Sequence, residues 1–399
     1  MRPPLVAAVA LVAALGGGIA ALGLGALTGL TAGDDGRTVV VSVPAADRPG
    51  TSAGTGAAPP PALGNAFDPA AVYASRVAGV VTIYATFAGA GGTSQGSGFV
   101  VDDEGTILTN AHVVTNVGEG GPVRGADRVY VEFDDGERVP ARIVGWDLFA
   151  DVGVIAVEPD AHALAPLPLG DSDTAVPGAP VAAIGSPFGN QSSLAVGVVS
   201  ATGRSIPSLT SDYAVADAIQ VDAPINRGNS GGPLLDGRGR VIGINAQIRS
   251  NSGLAEGVGF AIPINIARRS LEQLLATGRV AYAYIGIKTQ DVTPGIAERF
   301  DLGAERGALI GSVEPDTPAA RAGLRGGTRE EAYNGLSVSL GGDLIVRIGD
   351  REVESADDVS RIVTEELLPG QRVPFVVLRG GTDRETVQVT LAERPSDAG

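Results

Sequence analysis

Short apolar runs separated by glycine-rich turns fill the middle of this 399-residue chain, and they restrict its fold more than any other feature. Each run has the length of one strand, and valine and isoleucine are frequent in it. About ten short strands suit two antiparallel β-barrels, so we expect a mostly β protein. The runs are 79–87, 98–101, 128–133, 141–144 and 152–157, then 181–184, 195–200, 218–221, 241–244 and 258–261.

One serine stands in the run GNSGGP at residues 228–233. Gly228 can adopt backbone angles closed to residues with a side chain, so successive N–H groups can turn toward one point. A hydroxyl there could attack a carbonyl, while the N–H groups of Gly228 and Ser230 form an oxyanion hole. A bare Gly-x-Ser-Gly also occurs in ordinary turns, so Ser230 needs a base and an acid to support a catalytic role.

The chain contains two histidines, which makes the search for a base short. His112 follows the strand-like run 98–101 and the turn 102–105, whereas His162 lies between prolines in a predicted surface loop. A serine alcohol is a poor nucleophile without a neighbouring base. We therefore interpret His112 as the base and His162 as a solvated side chain.

Two aspartates are candidates for the acid. Asp151 opens the apolar run 152–157, where a carboxylate can be enclosed beside an imidazole, whereas Asp147 follows Trp146 at a turn and is expected to be solvated. The chain order is then His112, Asp151, Ser230. That is the order of chymotrypsin-type double barrels and differs from subtilisin and the α/β-hydrolases. The first barrel would carry His112 and Asp151, and the second Ser230.

Four segments resemble the HtrA/Deg serine proteases: TNAHVV at 109–114, DVGV at 151–154, AIGSPFG at 183–189 and QVDAPINRGNS at 220–230. Gly153 stands where members of that family usually carry Ala, and Ser186 where they usually carry Asn. The resemblance runs from about residue 71 to the end of the chain. The resemblance implies an endopeptidase that acts on unfolded or damaged proteins. It also implies that the protein could assemble as a homotrimer, for which the residues themselves give no evidence.

The same resemblance assigns the surroundings of the triad. The loops 202–216 and 249–257 would gate the cleft. No acidic residue lies where it would receive Lys or Arg, so a small or medium aliphatic side chain is expected before the scissile bond. The residues that would line that pocket are Ile225, Asn245, Ala246 and Ile248.

A helix at 264–276, closed by Gly278, precedes a smaller C-terminal unit. Its tetrapeptide YIGI resembles the carboxylate-binding loop of PDZ domains, which captures a peptide C-terminus and adds the peptide as a strand. A helix at 356–364 would flank the groove, and the stretch 326–340 has no assigned function. The predicted peptide-binding residues are Tyr284, Ile285, Gly286, Ile287, Val359 and Ile362.

Residues 5–30 carry no charge and are mostly Ala, Leu, Val and Gly. As a helix they would span roughly 39 Å, more than the roughly 30 Å of a hydrocarbon core. A cleaved signal peptide is the rival interpretation, but its apolar region is usually about 7 to 15 residues long. Length favours a single transmembrane helix with the N-terminus in the cytoplasm, followed by a disordered tether at 33–66 rich in Gly, Pro and Ala.

The predicted division is therefore an anchor at 1–32, a linker at 33–66, a chymotrypsin-like protease domain at 67–280 and one PDZ domain at 281–395. The net charge of −16 argues against a nucleic-acid partner. The chain has no cysteine, and no His/Asp/Glu cluster with metal-ligand spacing is visible, so we expect no metal or cofactor.

The sequence therefore favours a serine endopeptidase anchored in a bacterial cell membrane, with its catalytic domain outside the cytoplasm and C-terminal peptides as ligands of the PDZ domain. Two alternatives remain open. One is a peptide-binding holdase in which proteolysis is minor, and the other is an inert scaffold of the cell envelope.

Overall fold

The computed structural model describes residues 67–88, 92–117, 122–186, 192–211, 213–226, 228–246 and 258–395. Across these ranges, no helix has the length and apolar character needed to cross a bilayer. The predicted anchor at 5–30 and the tether at 33–66 lie outside the described residues, as do Ile248 and the loop 249–257.

The first half of the protease domain is a closed barrel of six antiparallel strands in the order β1-β2-β3-β6-β5-β4. A short helix, α1 (Pro69–Arg76), precedes it and begins where the Asp68 side chain accepts from the Ala71 N–H. The side chains of Ile83, Val100 and Ile107 are fully buried inside the barrel. The strands are β1 (Val80–Thr86), β2 (Thr93–Val100), β3 (Thr106–Thr109), β4 (Arg128–Glu132), β5 (Arg138–Asp147) and β6 (Val152–Ala156).

A second closed barrel follows, in the order β10-β11-β12-β9-β8-β7. Together the barrels contain two strands that the apolar runs did not predict, β3 and β10, and both are only four residues long. The expected double barrel is otherwise confirmed. The strands are β7 (Pro180–Gly185), β8 (Ser193–Pro207), β9 (Ala214–Val221), β10 (Pro233–Asp236), β11 (Val241–Ala246) and β12 (Gly259–Pro263).

Two helices complete the protease part. The single turn α2 (Ala111–Val114) carries His112. The helix α3 (Ile264–Thr277) ends at Gly278, whose φ of 75° is left-handed, so the predicted helix and its stop signal are confirmed. One face of α3 is buried through Ile266, Ser270 and Leu274 against the protease core.

The C-terminal domain is built on a sheet in which β14, β15, β18, β20 and β21 are successive neighbours and β19 pairs with β18. The stretch 326–340 forms a hairpin of β16 and β17, turned by Asn334 and Gly335 with φ of 49° and 83°. The strands are β13 (Ala283–Tyr284), β14 (Ile287–Val292), β15 (Gly307–Val313), β16 (Arg329–Tyr333), β17 (Leu336–Leu340), β18 (Leu344–Ile348), β19 (Arg351–Glu352), β20 (Arg372–Arg379), β21 (Asp383–Thr390) and β22 (Ala392–Glu393); the helices are α4 (Pro294–Phe300), α5 (Pro318–Ala322) and α6 (Ala356–Arg361).

Candidate active site

His112 and Asp151 form a direct pair on the first barrel. The His112 Nδ1 lies 2.7 Å from Asp151 Oδ2, and the His112 backbone N–H donates to Asp151 Oδ1 at 2.9 Å. The aspartate side chain is 5% exposed and the histidine side chain 20%. With the proton on Nδ1, the histidine Nε2 is left with a lone pair, which is the state a general base needs.

The backbone of Asp151 is held as firmly as its carboxylate. Its φ of 55° is left-handed, an uncommon conformation for a residue with a side chain. Its carbonyl accepts from the Ala111 N–H at 3.2 Å and from the Asn110 side chain at 2.9 Å. The turn that carries Asp151 is thereby fixed to the segment that carries His112.

The surroundings of His112 act on its pKa in opposite directions. Burial lowers the pKa of the imidazole, but the charge of Asp151 and its hydrogen bond raise it, and the net pKa lies above the ordinary value of 6.5. The aspartate therefore stabilises the imidazolium that a proton transfer would create.

Ser230 lies on the turn before β10, the fourth strand of the second barrel along the chain. Gly228 has φ of 102°, as its place in the motif requires. The Ser230 Oγ is buried and has no hydrogen-bond partner among the described residues. In the described residues, this hydroxyl therefore makes no hydrogen bond to His112, and a catalytic contact requires the two side chains to approach each other.

The turn that carries Ser230 packs against β2 and against α2, the short helix that contains His112. Gly96 of β2 sits between Val113 and the Ser230 carbonyl: a Cβ at this position would come within 2.6 Å of Val113 Cγ2 and 3.1 Å of Ser230 O. The Ser97 N–H donates to the same carbonyl at 2.9 Å. The two barrels thus bring the Ser230 segment next to the His112–Asp151 pair.

Ser97 is a residue that the sequence analysis missed. It is fully buried, and its hydroxyl donates to the Gly228 carbonyl at 2.6 Å while accepting from the Ser186 N–H at 2.9 Å. Ser186 in turn accepts from the Thr82 hydroxyl at 2.6 Å. Only the GSG context of Ser97 could have signalled it, because its partners are about ninety to 131 residues away.

Three of the predicted pocket residues, Ile225, Asn245 and Ala246, lie in the part of the chain that the structure describes. Ile225 is 8% exposed and Ala246 6%. Asn245 is fully buried, its carbonyl accepts from the Gly231 N–H, and its side chain donates to the Pro233 carbonyl at 3.1 Å. Asn245 therefore supports the serine turn from β11. The role of these residues in a substrate pocket stays a prediction.

Asp147 was expected to be solvated, and that expectation is wrong. Its side chain is buried, with 2% of the residue exposed, and it accepts hydrogen bonds from Ser270 and Tyr282. Both partners lie more than 120 residues further along the chain, so nothing local in the sequence indicates them.

The C-terminal domain has a groove of about 160 Å³ where the PDZ-like ligand site was predicted. Ile362 does not line it: that side chain is 1% exposed in the domain core, because α6 ends at Arg361 and a wider π-turn rotates the following residues. Val363 lies in the groove instead. The lining residues that were predicted are Tyr284, Ile285, Gly286, Ile287 and Val359.

A larger cavity of about 480 Å³ lies between the protease and C-terminal domains. Asp173 and Asp217 face Glu365 across it, and one Glu365 oxygen is buried without a hydrogen-bond partner among the described residues. Burial, followed by the charges of Asp217 and Asp173, raises the pKa of Glu365 to about 7, although Arg361 opposes the shift.

The second histidine is less solvated than expected. The His162 ring stacks on Phe133 at 3.9 Å, and its Nε2 lies 3.0 Å from Asp135 Oδ2. Glu137 brings a third ligand-type atom to this surface cluster, which the spacing along the chain did not reveal. Both carboxylates are exposed, and exposed acidic groups commonly occur near one another without binding an ion.

Two six-stranded barrels, with a His–Asp pair on one and a glycine-rich serine turn on the other, are the arrangement of a chymotrypsin-like serine peptidase. The comparisons agree. The family model of the trypsin-like peptidase domain matches residues 96–244, and that of the PDZ domain matches residues 283–391.

Similar proteins identify the family more closely than these two domain types do. The chain is 39% identical over 305 residues to the probable periplasmic serine endoprotease DegP-like of Marinomonas sp. (strain MWYL1), covering 76% of this chain and 58% of that protein. The protein of the same name from Halomonas elongata is 40% identical over 302 residues, with 76% and 57% covered. The solved structure of the HtrA-type protease AlgW with tripeptide is 34% identical, with a TM-score of 0.68, over 83% of this chain and 99% of that one. The chain belongs to the HtrA family of serine proteases. It spans little more than half the length of the two DegP-like relatives.

Proposed function

We propose that this protein is a serine endopeptidase that cleaves unfolded or damaged proteins outside the cytoplasm through His112, Asp151 and Ser230. The observation that carries the proposal is the 2.7 Å contact of His112 with Asp151 beside the buried Ser230 turn. The names of the DegP-like relatives, periplasmic serine endoproteases, support the same reaction and compartment.

In the proposed reaction the Ser230 Oγ attacks the scissile carbonyl and its proton passes to His112 Nε2. Asp151 holds the Nδ1 proton and stabilises the imidazolium, which then gives its proton to the leaving amine. The oxyanion faces the N–H groups of Gly228 and Ser230. In the part of the chain that the structure describes, no hydrogen bond occupies either N–H group, which supports their role as donors.

The substrate would be an extended polypeptide with a small or medium aliphatic side chain before the scissile bond. Ile225 and Ala246 are buried apolar residues, and their chain neighbours Asn226 and Asn245 accept hydrogen bonds from the serine turn. None of the residues proposed for the pocket is acidic, so it lacks a carboxylate for a basic side chain. Asn245 and Ile248 complete the proposed pocket.

The PDZ domain would bind a C-terminal peptide in the groove of Tyr284, Ile285, Gly286 and Ile287. Two peptide complexes of AlgW, with a tripeptide and with a decapeptide, support peptide recognition in this family. We also propose that residues 5–30 anchor the chain in the membrane, that 33–66 tether the catalytic domain, and that the assembly is a homotrimer.

The decisive experiment compares the full chain with its Ser230→Ala variant on casein, an unfolded substrate. The wild type should degrade casein and react with a fluorophosphonate probe, and the variant should do neither while keeping its circular dichroism spectrum. A peptide-binding holdase would protect a client from aggregation equally well in both forms. An inert scaffold would leave the probe unreacted in both.

A further inference from the structure

The turn between β5 and β6 carries the catalytic acid at its end, and Asp147 closes that turn from the other end. The Asp147 Oδ1 accepts from the N–H groups of Phe149 at 2.9 Å and Ala150 at 3.2 Å. Its Oδ2 accepts from the hydroxyls of Ser270 at 2.6 Å and Tyr282 at 2.5 Å. A buried carboxyl group with four donors is fully satisfied, so the turn has one well-defined position.

The two hydroxyl donors come from outside the first barrel. Ser270 lies on the buried face of α3, and Tyr282 lies in the segment that joins α3 to the first strand of the PDZ domain. Tyr282 is 2% exposed. Burial, and then the charge of Asp147, raise the pKa of Tyr282 well above its usual value, so its hydroxyl stays protonated and donates.

The C-terminal end of the PDZ domain holds Tyr282 in place. The Arg394 N–H donates to the Tyr282 carbonyl at 2.8 Å. The guanidinium of Arg394 lies over the rings of Tyr282, Phe149 and Tyr213, with distances of 5.3, 5.2 and 4.7 Å to the ring centroids. Cation–π attraction inside a largely desolvated cage is stronger than at an exposed site. Residues of both domains therefore contact the turn that carries Asp151.

A second contact fastens the same turn to the second barrel. The Thr210 hydroxyl donates to the Leu148 carbonyl at 2.5 Å. The edge of the Phe149 ring meets the Tyr282 ring at a centroid distance of 5.3 Å. Each residue from Asp147 to Phe149 thus has a partner outside β5 and β6, and Asp151 has its own bonds to Asn110 and Ala111.

We propose that Asp147 and Tyr282 are positioning residues that align the catalytic acid, so that the segment joining the two domains controls the His112–Asp151 contact. The inference rests on the proposed function, because Asp151 acts only in that reaction. Loss of the Tyr282 hydroxyl leaves Asp147 Oδ2 with one donor and lets the turn move. A longer contact between Asp151 and His112 then weakens both the orientation and the basicity of the imidazole.

The test is Tyr282→Phe in the full chain, with the rate of fluorophosphonate labelling of Ser230 measured between pH 5 and pH 9. We expect the plateau rate to fall roughly tenfold, the effect of losing one hydrogen bond to the buried carboxyl group of Asp147, whose pKa is raised by burial. The midpoint of the pH profile should move to lower pH, since Asp151 raises the pKa of His112. Ser270→Ala should change both quantities in the same direction.

Tyr333→Phe is the matched control, because Tyr333 lies in the β16–β17 hairpin, where its ring packs against Phe300. It should keep the wild-type rate and midpoint. A Tyr282→Phe variant that melts earlier but labels at the wild-type rate and midpoint would overturn the inference, and so would an equal effect of Tyr333→Phe. Should Tyr282→Phe not fold, Ser270→Ala decides by the same two readouts. If the wild type itself is not labelled at Ser230, the proposed function fails instead.

Discussion

The free energy of unfolding should fall as the pH rises toward neutrality, because Glu365 loses a proton in the folded protein. Its carboxyl faces Asp173 and Asp217 in the cavity between the domains, and its pKa is raised from 4.5 to about 7 in the folded protein. The folded state then binds a proton that the unfolded state has lost between these two pH values. The stabilising contribution is therefore complete below pH 4.5 and is lost as the pH rises through about 7.

The magnitude follows from the same shift. A rise from 4.5 to about 7 corresponds to about 3 kcal/mol, and water at this partly exposed side chain reduces it to about 1–3 kcal/mol. Glu365→Gln cannot ionise, so it should match the wild type below pH 4.5 and exceed its free energy of unfolding by that amount at pH 8.

Urea unfolding of both proteins at several pH values between 4.5 and 8 measures the difference. Glu298→Gln, at an exposed position of α4 in the same domain, is the control and should follow the wild type. Parallel curves for the wild type and Glu365→Gln, with no widening gap as the pH rises, would refute the reasoning.

Two further substitutions test the site and the PDZ domain. Ser97→Ala removes the hydroxyl that donates to the Gly228 carbonyl, so the rate of fluorophosphonate labelling should fall roughly tenfold. Thr82→Val, two hydrogen bonds beyond Ser97 through Ser186, should label at close to the wild-type rate. Equal labelling rates for Ser97→Ala and Thr82→Val would count against this role. Gly286→Ala adds a Cβ to a residue with φ of 84°, and that atom would lie 2.3 Å from the Thr317 side chain. The free energy of unfolding should therefore fall by roughly 1–3 kcal/mol. An unchanged Tm would contradict this argument.

Most of the architecture could be predicted from the sequence, because alternation of apolar runs and turns is a local property. The helix ending at Gly278 was also predictable, since a helical apolar face and its glycine stop lie within one segment. The strands β3 and β10 were missed because each has only four residues, too few for a clear apolar run, and adjoins a proposed catalytic motif.

The side-chain networks could not be predicted. Asp147 has the local context of an exposed turn residue, and only the fold brings Ser270 and Tyr282 to it. Ile362 was misassigned because an ideal helix was extended through a segment that widens into a π-turn. The residue types of the proposed triad are visible in short motifs, whereas the residues proposed to align them are scattered over the chain.

The bridge that Ser97 makes between the barrels has a consequence for the biosynthesis of the protease. The first barrel contributes the Ser97 hydroxyl, and the second contributes the Gly228 carbonyl that accepts its hydrogen bond. The first barrel alone holds the proposed base and acid, His112 and Asp151, whereas the turn of the proposed nucleophile Ser230 belongs to the second. In the proposed reaction, the nucleophile therefore takes its place only once the two barrels have docked.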